Sequence, residues 1–263
     1  MSTVLITGPT AGIGKSLAIQ MAEKGHDLLL VARREHRLEE ISSDLREKYN
    51  VNVNYFVADL KDKSAPQEIY NYVKSSNLDI SILMLNAGYQ INTKLEDASL
   101  EDEEDCLRVL GISVIMLTKL FLNDLKNRGG GHIMVVSSVA AFAPPSGEFA
   151  VLYGPVKTFM NRFVEALNGA YNKSNIYATS LCPGFTVTEF HEKSGVQDRM
   201  DKVPKYMKMS ADDVAKEGIN GMLKKKEIII TGGINKFLVG FLKWFPRSII
   251  RSIGNAIAGG RYK

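Results

Sequence analysis

Tyr153 and Lys157 stand four residues apart in the segment LYGPVK. On a helix, positions i and i+4 share a face, so the lysine ammonium can stand beside the tyrosine phenol. A free phenol keeps its proton up to a pKa of about 10. A neighbouring cation favours the phenolate and lowers that value, which suits Tyr153 to general acid–base work. Alone, the pair is an ordinary surface pattern. Its meaning comes from its company. The glycine-rich turn VLITGPTAGIG opens the chain, Ser137-Ser138 precede the pair, and Pro183-Gly184 follow it. In this order the residues predict carbonyl–alcohol redox chemistry on a nucleotide cofactor.

The turn supplies the nucleotide end. Gly8, Gly12 and Gly14 fall between an apolar run and a helical pattern. Glycines there permit a tight turn and a close backbone approach to a pyrophosphate, which the helix N-terminus favours. The spacing is G-x-x-x-G-x-G rather than the more familiar G-x-G-x-x-G. At the end of the second apolar run the chain reads VARRE, with Arg33 and Arg34 where an NAD site would place an acid. Two guanidiniums match a 2′-phosphate better than a bare diol, so NADPH/NADP+ is the expected cofactor.

These residues need a scaffold, and the chain has the length for one. It has 263 residues, 45% hydrophobic. Apolar runs at Thr3–Thr7, Asp27–Ala32, Asn52–Val57, Ile80–Leu85, His132–Ser137, Ile176–Cys182 and Glu227–Thr231 alternate with helical patterns. The helical patterns lie near 13–24, 35–49, 66–75, 100–127, 154–173 and 211–225. Continuously apolar runs such as LLLVA and ISILML predict strands buried on both faces. Their alternation with helices predicts a single α/β domain, a doubly wound parallel sheet. Two cysteines, Cys106 and Cys182, imply no disulfide framework and a reducing, cytoplasmic setting. Thr3–Thr7 reads as a buried strand rather than part of a targeting segment, and no apolar run approaches membrane-spanning length. Neither a metal site nor a nucleic-acid surface is expected.

Together these residues resemble the short-chain dehydrogenase/reductase family over nearly the whole chain up to about residue 230. The motifs fall in order: Thr7-Gly8-x-x-x-Gly12-x-Gly14, Asp59-Leu60, Asn86-Ala87-Gly88, Ser137-Ser138, Tyr153-x-x-x-Lys157, and Pro183-Gly184 with Thr188. The resemblance implies a Rossmann-like sheet of seven parallel strands. It implies cofactor contacts from Gly8, Thr10, Gly12, Ile13, Gly14, Arg33 and Arg34. Asp59 and Leu60 should meet the adenine, Asn86, Ala87 and Gly88 should flank a ribose, and Pro183, Gly184, Thr186 and Thr188 should cradle the nicotinamide. Tyr153 should donate the proton, Lys157 should lower its pKa and bind the ribose hydroxyls, and Ser138 should polarise the carbonyl.

The chain departs from the family pattern in three places. The stretch from Ser138 to Tyr153 is about two residues longer than usual. Leu85 replaces the first asparagine of Asn-Asn-Ala-Gly. Leu110 takes the place of an asparagine that supports a water relay behind the lysine, with Ser113 as a candidate substitute. The expected function is NADPH-dependent reduction of a lipophilic ketone or aldehyde. The alternatives are a catalytically weak NADP(H)-binding regulatory or scaffold protein, or a dehydrogenase working in the alcohol-oxidising direction.

Phe185, Phe190, Tyr206, Met207 and Met209 in a lid over 185–210 suggest the lipophilic substrate. The helices at 100–127 and 154–173 suggest a homodimer or homotetramer, as in the family. Residues 1–232 should form the catalytic domain and 233–263 an amphipathic helical extension. Residues 200–263 hold 13 Lys/Arg against 5 Asp/Glu, whereas the first 199 hold 20 against 24. In the extension, apolar residues recur every three or four positions with basic ones between them. It should pack on protein, or touch a membrane surface peripherally through residues 236–257.

Overall fold

The computed structural model describes residues 2–143, 150–188 and 203–242. Seven parallel strands form one sheet: β1 (Thr3–Thr7), β2 (Asp27–Ala32), β3 (Val53–Val57), β4 (Ile80–Leu85), β5 (Gly131–Val136), β6 (Ile176–Cys182) and β9 (Ile228–Ile230). Their order is β3-β2-β1-β4-β5-β6-β9. Two short strands, β7 (Thr186–Val187) and β8 (Met209–Ser210), pair with each other outside it.

All residues of β1 and β4 are buried, because helices cover both faces of the sheet. Side chains alternate across it. Leu28 and Leu30 join one core with Leu17, Met21, Leu38 and Val214. Leu29 and Val31 join the other with Phe121, Leu117, Val164 and Ile69. Each such aliphatic side chain contributes about 1.5–3 kcal/mol by leaving water. A one-residue slip in β2 would exchange its two faces.

The first core is closed by α1 (Gly12–Glu23), α2 (Glu35–Tyr49) and α7 (Ala211–Leu223). The second is closed by α3 (Ala65–Ser75), α5 (Ser113–Asn127) and α6 (Tyr153–Tyr171). The remaining helices are α4 (Leu100–Leu107) and α8 (Gly233–Leu242). Ser99 and Ser210 cap α4 and α7 by accepting the backbone N–H of Asp102 and Asp213. Among the described residues no helix is long and apolar enough to cross a membrane.

The single helix expected over 100–127 is broken. A π turn occupies Arg108–Ile112 between α4 and α5, and the Ser113 N–H reaches the Arg108 carbonyl. Gly111 lies in this turn, where a β-carbon would stand 3.9 Å from Met160 and Val156 of α6. Leu110, also in this turn, is buried at 2% exposure.

The strand order reverses between β1 and β4. A crevice therefore opens outside their carboxyl ends, where a parallel sheet of this kind takes its ligand.

Candidate active site

That crevice is a cavity of about 900 Å³. Nearly every site residue named from the sequence lines it: Gly8, Thr10, Gly12, Ile13, Gly14, Arg33, Arg34, Asp59, Leu60, Asn86, Ala87 and Gly88 along one arm. Ser138, Tyr153, Lys157, Pro183, Gly184, Thr186 and Thr188 line the other.

At the β1–α1 turn, Gly8 and Gly12 have φ of +68° and +51°, conformations that favour glycine. Gly14 is required for room, since a β-carbon there would lie 2.1 Å from the Gly8 carbonyl oxygen. Helix α1 begins with no side-chain cap and no acid in its first turn. Its first backbone N–H groups therefore suit an anion. Asn86 has a task the motif alone does not reveal. Its Nδ2 donates to the carbonyls of Thr7 and Gly8 at 3.0 and 3.1 Å. Thr7 Oγ1 accepts the backbone N–H groups of Asn86 and Ala87, both at 3.0 Å. Asn86 thus ties β4 to the glycine turn as well as facing the cavity.

Arg34 donates from Nη2 to Thr10 Oγ1 at 2.8 Å, which fixes its guanidinium against the glycine turn. Arg33 has a side chain 62% exposed and pairs with Asp59 at 3.4 Å. Asp59 also accepts the backbone N–H of Lys61. The arginines stand together at the rim, one anchored and one largely in water.

On the second arm the two serines, both lining the cavity, are held differently. Ser137 is 2% exposed and donates to the Lys157 carbonyl at 3.1 Å, pinning α6 to the end of β5. Ser138 accepts the Ala140 N–H at 3.1 Å and hydrogen-bonds with the Tyr153 hydroxyl. Lys157, 5% exposed, places Nζ 5.5 Å from the Tyr153 ring centre. It donates to the Val136 carbonyl at 2.7 Å. The longer stretch between Ser138 and Tyr153 does not separate them; residues 144–149 of it lie outside the described residues.

One electrostatic expectation changes. Desolvation pushes the Tyr153 phenol up to about 12, with the Ser138 hydrogen bond opposing it, so burial outweighs the lowering expected from a neighbouring cation. Burial also brings Lys157 down to about 8. Taking the ammonium out of water costs more than its neighbours return, and it donates to a neutral carbonyl rather than to a carboxylate.

Behind the pair the site is apolar. Leu110 packs with Cys106, Val156, Tyr89 and Tyr153, and a β-carbon on Gly88 would stand 2.8 Å from Leu110 Cδ2. Ser113, the candidate replacement relay, donates back to the Val109 carbonyl at 2.9 Å and is buried. Its hydroxyl proton is engaged by a carbonyl of the π turn.

At the far end, the Val139 N–H reaches the Pro183 carbonyl at 2.9 Å, and a β-carbon on Gly12 would stand 2.9 Å from Thr188. Of the expected lid over 185–210, only residues 185–188 and 203–210 are among the described residues. Phe185 lines the cavity, Tyr206 is 72% exposed, and neither Met207 nor Met209 lines it. The β7–β8 pairing draws Met209 back over Gly232 and the sheet core. Phe190 lies outside the described residues. Spacing gave no sign of Asn235 on α8, whose carboxamide packs against Gly184. No group of three or more metal-ligating side chains occurs among the described residues.

A parallel sheet with a switch-point crevice, a glycine turn and a Ser/Tyr/Lys cluster defines a Rossmann-like oxidoreductase architecture. The short chain dehydrogenase family model matches residues 2–199, and the chain belongs to that family. The very-long-chain 3-oxoacyl-CoA reductase of Rattus norvegicus is 28% identical over 191 residues, covering 70% of this chain and 59% of that protein. The chain thus spans under two thirds of that relative's length. The NADP-dependent 3-hydroxy acid dehydrogenase of Schizosaccharomyces pombe is 29% identical over 234 residues, 87% of this chain and 89% of that one. A short-chain dehydrogenase from Sphingobium yanoikuyae, solved in complex with NADPH, superposes with a TM-score of 0.82 at 26% identity. That match covers 94% of this chain and 96% of the other.

Proposed function

We propose that the protein is an NADPH-dependent reductase of lipophilic ketones or aldehydes. The observation that carries this reading is the Ser138–Tyr153–Lys157 cluster at one arm of a cavity whose other arm ends in Arg33 and Arg34. The residues fit the cofactor. The glycine turn lines the cavity at the uncapped start of α1, where a pyrophosphate would lie, and Arg34, already fixed by Thr10, would hold the 2′-phosphate with Arg33. NADP-dependent and NADPH-bound relatives support the same assignment. Bound NADPH supplies the hydride.

The chain's own groups handle the proton. Ser138 hydrogen-bonds the substrate carbonyl oxygen and orients it toward Tyr153. A phenol held up to about 12 stays protonated at neutral pH, so Tyr153 is poised as an acid. Its hydroxyl gives its proton to the oxygen as negative charge grows there. Lys157 sits close enough to stabilise the phenolate that remains, and its ammonium is the next proton source. Phe185, Ala140 and Ala143 give the substrate side an apolar character. Assembly would use the end of the π turn with α5 and α6, where Ile112, Met116 and Phe159 are 41%, 39% and 51% exposed.

Leu110 favours a second reading, a nucleotide-binding protein of low catalytic efficiency, because the apolar plug behind Lys157 offers no relay. Loss of reduced-nicotinamide absorbance, measured with a panel of lipophilic ketones and aldehydes, separates the two. Turnover with stoichiometric alcohol supports the reductase. Tight NADPH binding without turnover across the panel overturns it.

A further inference from the structure

Helix α8 has two faces with different employment. Its inner face is fixed to the site. Asn235 and Val239 are 7% and 3% exposed. Asn235 Nδ2 donates to the Thr231 carbonyl at 2.8 Å. A β-carbon on Gly184 would fall 2.3 Å from that same nitrogen. Lys236 binds Glu217 of α7 at 2.7 Å, and Glu217 also accepts the Gly232 N–H. The helix therefore cannot leave the Pro183–Thr188 turn without breaking these contacts.

The outer face carries Ile234, Phe237, Leu238 and Phe241 at i, i+3, i+4 and i+7, the spacing of an apolar stripe that normally packs against something. Here they are 37%, 71%, 41% and 49% exposed. The rings of Phe237 and Phe241 stack at 6.2 Å, forming one apolar ridge. Immediately beyond α8 the sequence supplies Trp244 and then only positive charge. Residues 243–263 contain five basic side chains (Lys243, Arg247, Arg251, Arg261 and Lys263) and no Asp or Glu.

We propose that α8 is a docking helix for an anionic membrane surface, its outer ridge entering the interface while its inner face holds the Pro183–Thr188 turn. Aromatic residues beside lysines and arginines suit the boundary between acyl chains and anionic headgroups. A second copy of this chain fits less well, because two such single-sign segments would repel each other. The contact between Asn235 and Gly184 also sets the ridge about one helix diameter, roughly 10 Å, from the cavity wall. Resting on the lipophilic-carbonyl reading above, docking would bring the cavity mouth to the phase that holds such substrates.

The test reads binding rather than turnover, so it stands apart from the reductase reading. Full-length protein is co-sedimented with phosphatidylcholine vesicles and with vesicles containing added phosphatidylglycerol. Trp244, the single tryptophan, reports entry into the interface by its emission. The expected result is sedimentation with the anionic vesicles only, with a blue shift. Phe237→Ser with Phe241→Ser should weaken partitioning by about tenfold or more. Lys243→Glu with Arg247→Glu should weaken it by roughly tenfold or more. Retained NADPH affinity shows that the variants fold. The proposal is overturned if the protein stays in the supernatant with both vesicles, or sediments equally with both. It is also overturned if the phenylalanine variant changes oligomeric mass while vesicle binding is unchanged, which would make the ridge a subunit interface.

Discussion

Replacing Arg34 with alanine should weaken NADPH far more than NADH, and more than the same change at Arg33. The asymmetry follows from how the two guanidiniums are held. Arg34 is partly buried and fixed by Thr10 at 2.8 Å, so little side-chain freedom is lost when it meets a phosphate. A charge-assisted hydrogen bond of this kind is worth about 1.5–3 kcal/mol, which corresponds to roughly 10- to 150-fold in affinity. Arg33 has a side chain 62% exposed and is shared with Asp59 at 3.4 Å. Solvent screening and that competing partner reduce its contribution to about 0.2–1 kcal/mol, no more than about fivefold. Thr10→Val, which removes the anchor and keeps the arginine, should fall between the two. Titration of each variant with NADPH and NADH, followed by calorimetry, gives the comparison. Equal losses for both nucleotides from Arg34→Ala would refute phosphate recognition. A larger effect from Arg33 would refute the argument from anchoring.

Other perturbations test the inner site. Lys157→Ala should abolish turnover and also lower the thermal midpoint, because the buried Val136 carbonyl loses its donor, a loss of about 1–3 kcal/mol. With its pKa brought down from 10.5 to about 8, Lys157 binds a proton less readily folded than unfolded. Its contribution to stability therefore rises with pH across that window and is lost as pH falls through about 8; denaturant titrations should show a more positive slope of stability against pH in wild type than in Lys157→Met. Carbonyl reduction should decline as pH rises through about 8, where Lys157 gives up its charge, and a kcat/KM profile unchanged across that range would contradict the role assigned to the ammonium. Leu110→Asn places an amide in an apolar cluster, so it should cost about 2–5 kcal/mol of stability by denaturant unfolding. A stable Leu110→Asn variant with higher turnover would show that the plug limits the wild type.

Much of this site was legible because its residues answer to local rules. Gly8, Gly12 and Gly14 could be read from the turn they make, and their φ angles and close contacts bear this out. The alternation of apolar runs specified the parallel sheet, since strands covered on both faces have little other composition available. What escaped reading depends on contacts distant in sequence. The π turn at Arg108–Ile112 arises where Gly111 meets α6, and the helical periodicity of 100–127 does not show it. Asn86 ties the glycine turn from 78 positions away, and Asn235 reaches Gly184 across the β6–β9 edge. The Tyr153 phenol moved opposite to expectation because helical spacing reports the neighbouring lysine but not the desolvation around both groups. Met209 was read as lid from its type, whereas strand pairing turns it to the core.

The most direct test of the central claim compares wild type with Tyr153→Phe on one lipophilic aryl ketone, with NADPH consumption and alcohol formation measured together. The ring is preserved and only the hydroxyl that meets Ser138 is removed. Loss of a positioned proton donor should cost about 10²–10⁴-fold in turnover. NADPH affinity should stay within about twofold, because the ring's packing against Leu110 and Val156 is kept. Near wild-type reduction by Tyr153→Phe would contradict the account, since the proton would then come from a group other than Tyr153.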